Sequence, residues 1–426
     1  MLLQVNQDFI ESALKGADLI KSPHTGFLHH CYESTSRDTS SRDTVPLYEN
    51  YCYVLALFRS HQVNNFKAGR ELLSRLLHFF TENGPTTYLH DYPQVKSRSG
   101  FVHFLPIFYW IRREFHAMLG EALEARFENA FQILLTLCNQ HYPELPQRTR
   151  VKIDGFYGRN EGFDFIPESS EQWANYLIAL QMGIEENPEL ADYLPRLAAV
   201  YEPTLARYTG LSLHEKQKGF APAKNFFHLA MNFFAGGSSQ DFPPPLLVHY
   251  ALLRESEPLH NLLAAIPPTN FWVDRAPSHP IRCFFGSYSL VCEDFKGSVS
   301  LTQSENRTNY LLTLPQEELP WDEDTSEINL YTELPAIAKI TINGKRASVF
   351  KLGDHVALEC VDGRTITLIF TLNSGEGRFM GHLAQGNRHS QNHKCPDDPF
   401  KAHDWKIFLR TISRTPSAQI TLSLSN

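Results

Sequence analysis

Along the first two-thirds of the chain, apolar residues recur at i, i+3, i+4 and i+7. Ile10, Ala13, Leu14 and Ala17 form one such stripe, and Tyr51, Val54, Leu55 and Phe58 form the next. The spacing returns at Leu73, Leu76, Leu77 and Phe80, and at Phe127, Ala130, Phe131 and Leu134. It returns again at Trp173, Tyr176, Leu177 and Leu180, and at Phe227, Ala230, Met231 and Phe234. Each set predicts a helix that buries one face. Less regular helices are expected over 102–119, 189–208 and 246–254, with Pro195 and Pro203 kinking the second or dividing it. Ser169 with Gln172 reads as a capping box, and Gly120 and Gly183 suit left-handed helix ends.

The connections between these helices alternate in length. Long ones fall at 21–45, 81–101, 140–167 and 209–223, and short ones at 61–65, at Gly120 and at 183–188. With consecutive helices antiparallel, every long connection lies at one end of the array. Loops beyond about 12–15 residues in a compact domain are usually functional or disordered. These loops carry aromatic and charged residues, so a site is expected on that rim. Large, varied loops on one rim suit an α/α toroid, complete or incomplete, built of helical hairpins.

After Pro267-Pro268 the period falls to two. The segments 338–343 and 364–370 are β-branched, and Asn343-Gly344 and Asp362-Gly363 are two-residue hairpin turns. Further strands are expected around 284–292, 298–303, 310–314, 328–330, 405–412 and 419–424. Short strands separated by turns predict an antiparallel β-sandwich. The expected division is an α+β multidomain chain, with the toroid over 1–270 and the sandwich over 271–426.

Composition narrows the classes of function. The chain has 426 residues, 42% hydrophobic and 20% charged, which is ordinary globular usage. Its net charge of −8 argues against nucleic acid as the main partner. No apolar run reaches the roughly 18 residues of a membrane span, so no membrane partner is expected. The amino terminus has no basic region followed by an apolar stretch. A cytoplasmic location is expected from it, or a periplasmic or secreted one if a leader precedes this sequence. Seven scattered cysteines without a CxxC pair argue against a disulfide framework, and the sequon Asn306-Arg307-Thr308 reads as chance. Nineteen histidines occur without HExxH or a carboxylate cage, so neither metal nor cofactor is expected. The sequence carries no signal of oligomeric state.

Candidate chemistry concentrates between Arg148 and Asp164. This stretch holds the cations Arg148, Arg150, Lys152 and Arg159, the carboxylates Asp154, Glu161 and Asp164, and Tyr157 with Asn160. Arginine suits bidentate recognition of a carboxylate, and tyrosine can transfer a proton. A solvated loop whose charges pair with one another accounts for the same residues. On the same predicted rim, Tyr88-Leu89-His90-Asp91-Tyr92 sets a carboxylate-held histidine between two aromatic platforms, or pins a loop to the body. The first long connection adds His24, His29, His30, Arg37, Asp38, Arg42 and Asp43, and the fourth adds His214, Lys216 and Lys218. Asn225 and His228, three apart at a helix start, read first as a polar cap with a satisfied histidine, and otherwise as a pair reaching the cleft from the elaborated end. The polar run from Gly386 to His393 is either a loop folded over the cleft or a surface excursion.

The layout of helical toroid followed by antiparallel β domain resembles the polysaccharide lyases of the heparinase II/III and alginate lyase type. The resemblance implies β-elimination on an acidic, uronate-containing oligo- or polysaccharide. It implies a tyrosine and a histidine sharing the acid and base roles, with asparagine or arginine at the substrate carboxylate. By residue type and rim position these are Tyr157 and His90, and Arg159 and Asn160, with Tyr88, Tyr92 and Arg150 binding the sugar. The alternative is a glycoside hydrolase with two carboxylates about 5–10 Å apart, drawn from Asp154, Glu161 and Asp164. A third reading is a carbohydrate-binding or scaffold protein without chemistry.

Overall fold

A computed structural model describes residues 6–33, 41–95, 100–167, 169–203, 207–208, 214–215, 225–238, 242–266, 273–274, 281–285, 288–292, 295–304, 307–317, 326–332, 337–360, 363–386, 400–401 and 405–425. Arg37, Asp38, Lys216, Lys218, the run 387–393 and the side chains of Arg42, Asp43 and His214 lie outside the described residues. The chain divides into two compact units, 1–208 with 224–266, and 209–223 with 267–426. The first is helical and the second is built of antiparallel sheets.

Among the described residues the helices are α1 (Gln7–Ile20), α2 (Leu47–Arg59), α3 (Val63–Leu76), α4 (Leu105–Phe115), α5 (Glu121–His141), α6 (Gln147–Phe156), α7 (Ser170–Glu186), α8 (Leu194–Ala199), α9 (Phe226–Phe234), α10 (Pro244–Leu247) and α11 (Glu257–Ala264). They fall into two kinds. Helices α1, α3 and α5 bury a single stripe, such as Phe9, Ile10, Ala13 and Ala17 on α1. Helices α2, α4, α7 and α9 are apolar on nearly every side and buried accordingly. Helices α2, α4 and α9 each follow one of the expected long connections, and α7 follows the part of 140–167 that lies beyond α6. One core runs from Phe9 to Leu263, and α1 and α2 pack against the 244–252 segment, so the start of the helical unit meets a segment near its end. Asn6 donates to Glu255 at 2.7 Å across the same join.

A buried ion cluster holds this join. Arg59, fully buried on α2, donates to both carboxylate oxygens of Glu114 at 2.8 and 2.6 Å and to the Ala251 carbonyl at 2.5 Å. Arg254 joins Glu114 at 3.1 Å and Glu185 at 3.5 Å, and its guanidinium lies 4.3 Å from the ring centre of Trp110.

Several expectations are corrected. The 140–167 stretch is not a continuous loop, because its centre forms α6. Val151 and Ile153 are buried there, and Gly155 lets the α6 backbone press on α7. A Cβ at Gly155 would stand 2.3 Å from the Ala179 carbonyl oxygen. Tertiary packing therefore outweighs weak local propensity. Gly183 does not end α7, which continues to Glu186; its missing side chain leaves room for Leu190. The 189–208 stretch breaks into the 3-10 turn Pro188–Tyr193, α8 and two short strands. Ser169 caps α7 by accepting from Gln172 N–H at 3.3 Å, and Gly120, with φ of 81°, precedes α5.

In the second unit, one sheet runs Val349–Phe350, Gly377–Gln385, Trp405–Arg414, Ile328–Thr332, Tyr288–Cys292, Ile281–Phe285, Val273–Asp274. The other runs Ser298–Ser304, Arg307–Thr313, Gln419–Ser425, Thr365–Ser374, His355–Cys360, Ile337–Ile342. Every pairing within them is antiparallel. Alternate residues such as Leu330, Ile407 and Leu409 from the first sheet share one core with Leu358, Leu368 and Leu422 from the second. This arrangement is compatible with the expected sandwich. Asn343 and Gly344 take φ of 50° and 76° at the predicted turn. His214–Glu215, within the fourth long connection, pairs with Phe400–Lys401 in this unit.

Among the described residues, Cys52, Cys138, Cys292 and Cys360 are buried, and no helix is long and apolar enough to cross a membrane. No cluster of three or more His, Cys, Asp or Glu side chains that could hold a metal occurs among them.

Candidate functional site

The starts of the four most buried helices line one cavity of about 430 Å³ in the helical unit. Tyr48 comes from the first turn of α2, and His103 and Phe104 from the turn leading into α4. Glu171, Ala174 and Asn175 come from the first turns of α7, and Asn225 and Phe226 from the start of α9. His249 and Leu246 complete one wall, and Lys152 enters from α6. The segment containing Thr87 is tied to α2 by Leu47 N–H donating to the Thr87 carbonyl at 3.0 Å.

Lys152 is the unusual member. It is 2% exposed, and its Nζ lies 2.8 Å from His103 Nδ1. Among the described residues no carboxylate stands within ion-pair distance of it. Burial pulls its ammonium down to about 7 from the ordinary 10.5, although nearby Cys52 opposes the shift. The lysine charge, then burial, hold His103 down at about 3. His103 is thus neutral, and its Nδ1 accepts from Lys152.

The facing wall is built differently. His249 Nε2 lies 3.2 Å from Glu49 Oε1. Burial raises the Glu49 carboxyl, but the hydrogen bond and charge of His249 outweigh it, so the group is held below its usual range. A carboxylate in this place fixes the orientation of the imidazole. The Tyr48 ring stands edge-on to His249, 5.1 Å between centres. Burial, followed by the Cys52 and Glu49 charges, pushes the Tyr48 phenol well up and keeps it protonated. Asn225 is occupied: its Oδ1 caps the α9 N–H groups of Phe227 and His228, and its Nδ2 donates to Ser170 Oγ at 2.7 Å. His228 completes that capping box through Nδ1. Asn175 has no hydrogen-bonding partner among the described residues.

No protein-family model matches this chain, and no curated protein is significantly similar to it.

The residues picked out from the sequence separate into two groups. Tyr157, Arg159 and Asp154 belong together: Arg159 pairs with Asp154 at 2.7 Å and lies 5.1 Å from the Tyr157 ring centre. Tyr157 donates to Asn139 at 3.0 Å, and Tyr142 donates to Asp154 at 2.7 Å. Arg150 donates to the Leu145 carbonyl at 2.7 Å, Asn160 accepts from Asn187 at 3.2 Å, and Asp164 accepts from Tyr193 at 2.8 Å. Glu161 opens a short 3-10 turn beside Asp154, whose carboxyl burial raises against the lowering pull of Tyr142 and Arg159. In the other group, Tyr88 stacks on His90 at 5.5 Å, and His90 Nδ1 meets Thr44 Oγ1 at 2.9 Å. His90 Nε2 stands 3.8 Å from Asp91, and Tyr92 meets Phe79 edge-on at 5.5 Å.

Neither group lines the Lys152 cavity. Tyr157 instead lines a second cavity, of about 530 Å³, with Tyr109, Arg112, Arg113, Phe131, Phe156 and Glu186. Its arginines are already paired: Arg113 with Glu186 at 2.7 Å and Glu185 at 3.2 Å, and Arg112 with Glu128 at 3.1 Å. Tyr48, Glu49, His103, Asn175 and His249 were not singled out from the sequence. Lys152 carried the one local signal, a cation between Val151 and Ile153 in a segment that proves helical.

Proposed function

We propose that the Lys152 cavity is the active site of a lyase-like enzyme that cleaves an acidic, uronate-containing saccharide by β-elimination. In the same reading, the hairpins of the helical unit form an α/α toroid with α2, α4, α7 and α9 innermost, followed by a β-sandwich. The observation that carries the proposal is the convergence, on one cavity, of a carboxylate-held histidine, a protonated tyrosine, an asparagine without a hydrogen-bonding partner among the described residues and a lysine without a carboxylate partner among them. These are the groups that elimination next to a carboxylate requires. His249 removes the proton from the carbon bearing the carboxylate. The bond from the neighbouring carbon to the leaving glycosidic oxygen breaks, its electron pair goes to that oxygen, and Tyr48 supplies the proton. Asn175 donates to the carboxylate as negative charge builds on it.

The test is incubation of the full chain with a panel of acidic polysaccharides, followed by ultraviolet absorbance of the unsaturated uronate. Absorbance should grow with time, and His249→Ala should cut the rate by about 10²–10⁴-fold. New reducing ends without absorbance would replace elimination by hydrolysis, and an unimpaired His249→Ala would move the site elsewhere.

A further inference from the structure

We propose that the cavity binds its ligand through an anionic group, a carboxylate, that docks against Lys152 and whose arrival loads a proton onto that lysine. The inference rests on reading this cavity as the substrate site, but it concerns binding and not the reaction. Its first ground is geometric. Lys152 lines the cavity, and its Nζ lies 2.8 Å from a histidine nitrogen that cannot neutralise an ammonium. The second is the set of groups facing it. From α2 come Tyr48 and Cys52, both kept neutral by burial, and Glu49, already engaged by His249. From the turn before α4 comes neutral His103, from α7 comes Glu171, and from the 244–252 segment comes His249. Within α6, Asp154 is held by Tyr142 and Arg159. No carboxylate in this set pairs with Lys152.

A third ground is the set of helix starts. The opening turns of α2, α7 and α9 line the cavity, and the positive ends of their dipoles favour negative charge there. Burial holds the Lys152 ammonium down to about 7, so its proton is weakly held near neutral pH. A carboxylate beside it supplies the missing counter-charge, so the ammonium becomes the stable form and a proton is drawn from solvent. Binding and proton uptake are linked, and affinity falls as pH rises above the pKa of the empty site.

The experiment is calorimetric titration of the full chain with glucuronate, and with glucose as the neutral control, in two buffers of different ionisation enthalpy at about pH 8. The expected result is uptake approaching one proton per glucuronate bound, affinity falling about tenfold per pH unit above 7.5, and far weaker binding of glucose. Lys152→Met should lose glucuronate binding while retaining cooperative thermal unfolding. Lys152→Arg, always charged, should bind glucuronate without uptake. No glucuronate binding, no proton uptake by the unaltered chain, or the same pH dependence in Lys152→Met would overturn the proposal. Binding with uptake but no unsaturated product from any polysaccharide would sink the elimination reading alone. Elimination without linked uptake would sink this inference alone.

Discussion

Arg59 and Lys152 are both basic side chains buried in the helical unit, and their surroundings treat them in opposite ways. Arg59 meets both oxygens of Glu114 and a backbone carbonyl, and Arg254 extends the cluster to Glu185. Among the described residues, Lys152 meets a neutral imidazole and no carboxylate, and it lines a cavity. The first is closed electrostatics that ties α2, α4, α7 and the 251–254 segment together. The second has no counter-charge among the described residues. The two cavities differ in the same way, since Arg112 and Arg113 lining the larger one already have their glutamates.

The contrast can be broken most forcefully at the closed cluster. Glu114→Gln leaves Arg59 and Arg254 buried without their shared carboxylate, and the loss should be about 3–5 kcal/mol in the denaturant midpoint analysis. A change under 1 kcal/mol would mean that the cluster is not a structural clamp. The opposite sign is expected at the open one. Lys152 has a folded pKa of about 7 against the ordinary 10.5, so between these values the unfolded chain binds more protons and stability rises with pH. The full cost is present below about pH 7. Lys152→Met should therefore stabilise the chain by about 2–4 kcal/mol near pH 6, at about 1.4 kcal/mol per pKa unit less the lost histidine contact. The gain should fade as pH approaches 10.5. Thermal unfolding of both proteins across that range measures it, and a difference that does not vary with pH would remove the uncompensated lysine. The smallest effect belongs to the exposed pair Lys339 and Glu359, 3.1 Å apart in the β unit. Lys339→Ala should cost under about 1 kcal/mol and less still in high salt.

Much of the framework was legible because it is periodic. The stripe from Tyr51 to Phe58 marks α2, and the apolar residues filling its other faces also mark it as a helix buried all round. Asn343-Gly344 announced its turn through chemistry that few other pairs share. Strand His355–Cys360 alternates just as clearly and was overlooked. Helix α6 was hidden for a different reason: its charges and Gly155 read as loop, and only contact with α7 makes it a helix. The cavity follows the same division. Loop lengths pointed toward the starts of α2, α4, α7 and α9, because connection length is a local property. Glu49, His103, Lys152, Asn175 and His249 meet only through tertiary folding, and no spacing between them announces it.

Gly155 has a bearing on how this protein can diverge. It lies one turn beyond Lys152 on α6, where a single methyl group would collide with the Ala179 backbone. Position 152 can change its chemistry without disturbing that crossing, whereas position 155 admits no side chain unless the two helices separate. Relatives with a different ligand should therefore vary at 152 and keep glycine at 155. A chain that has lost this glycine should have lost the distance between Lys152 and His103 with it.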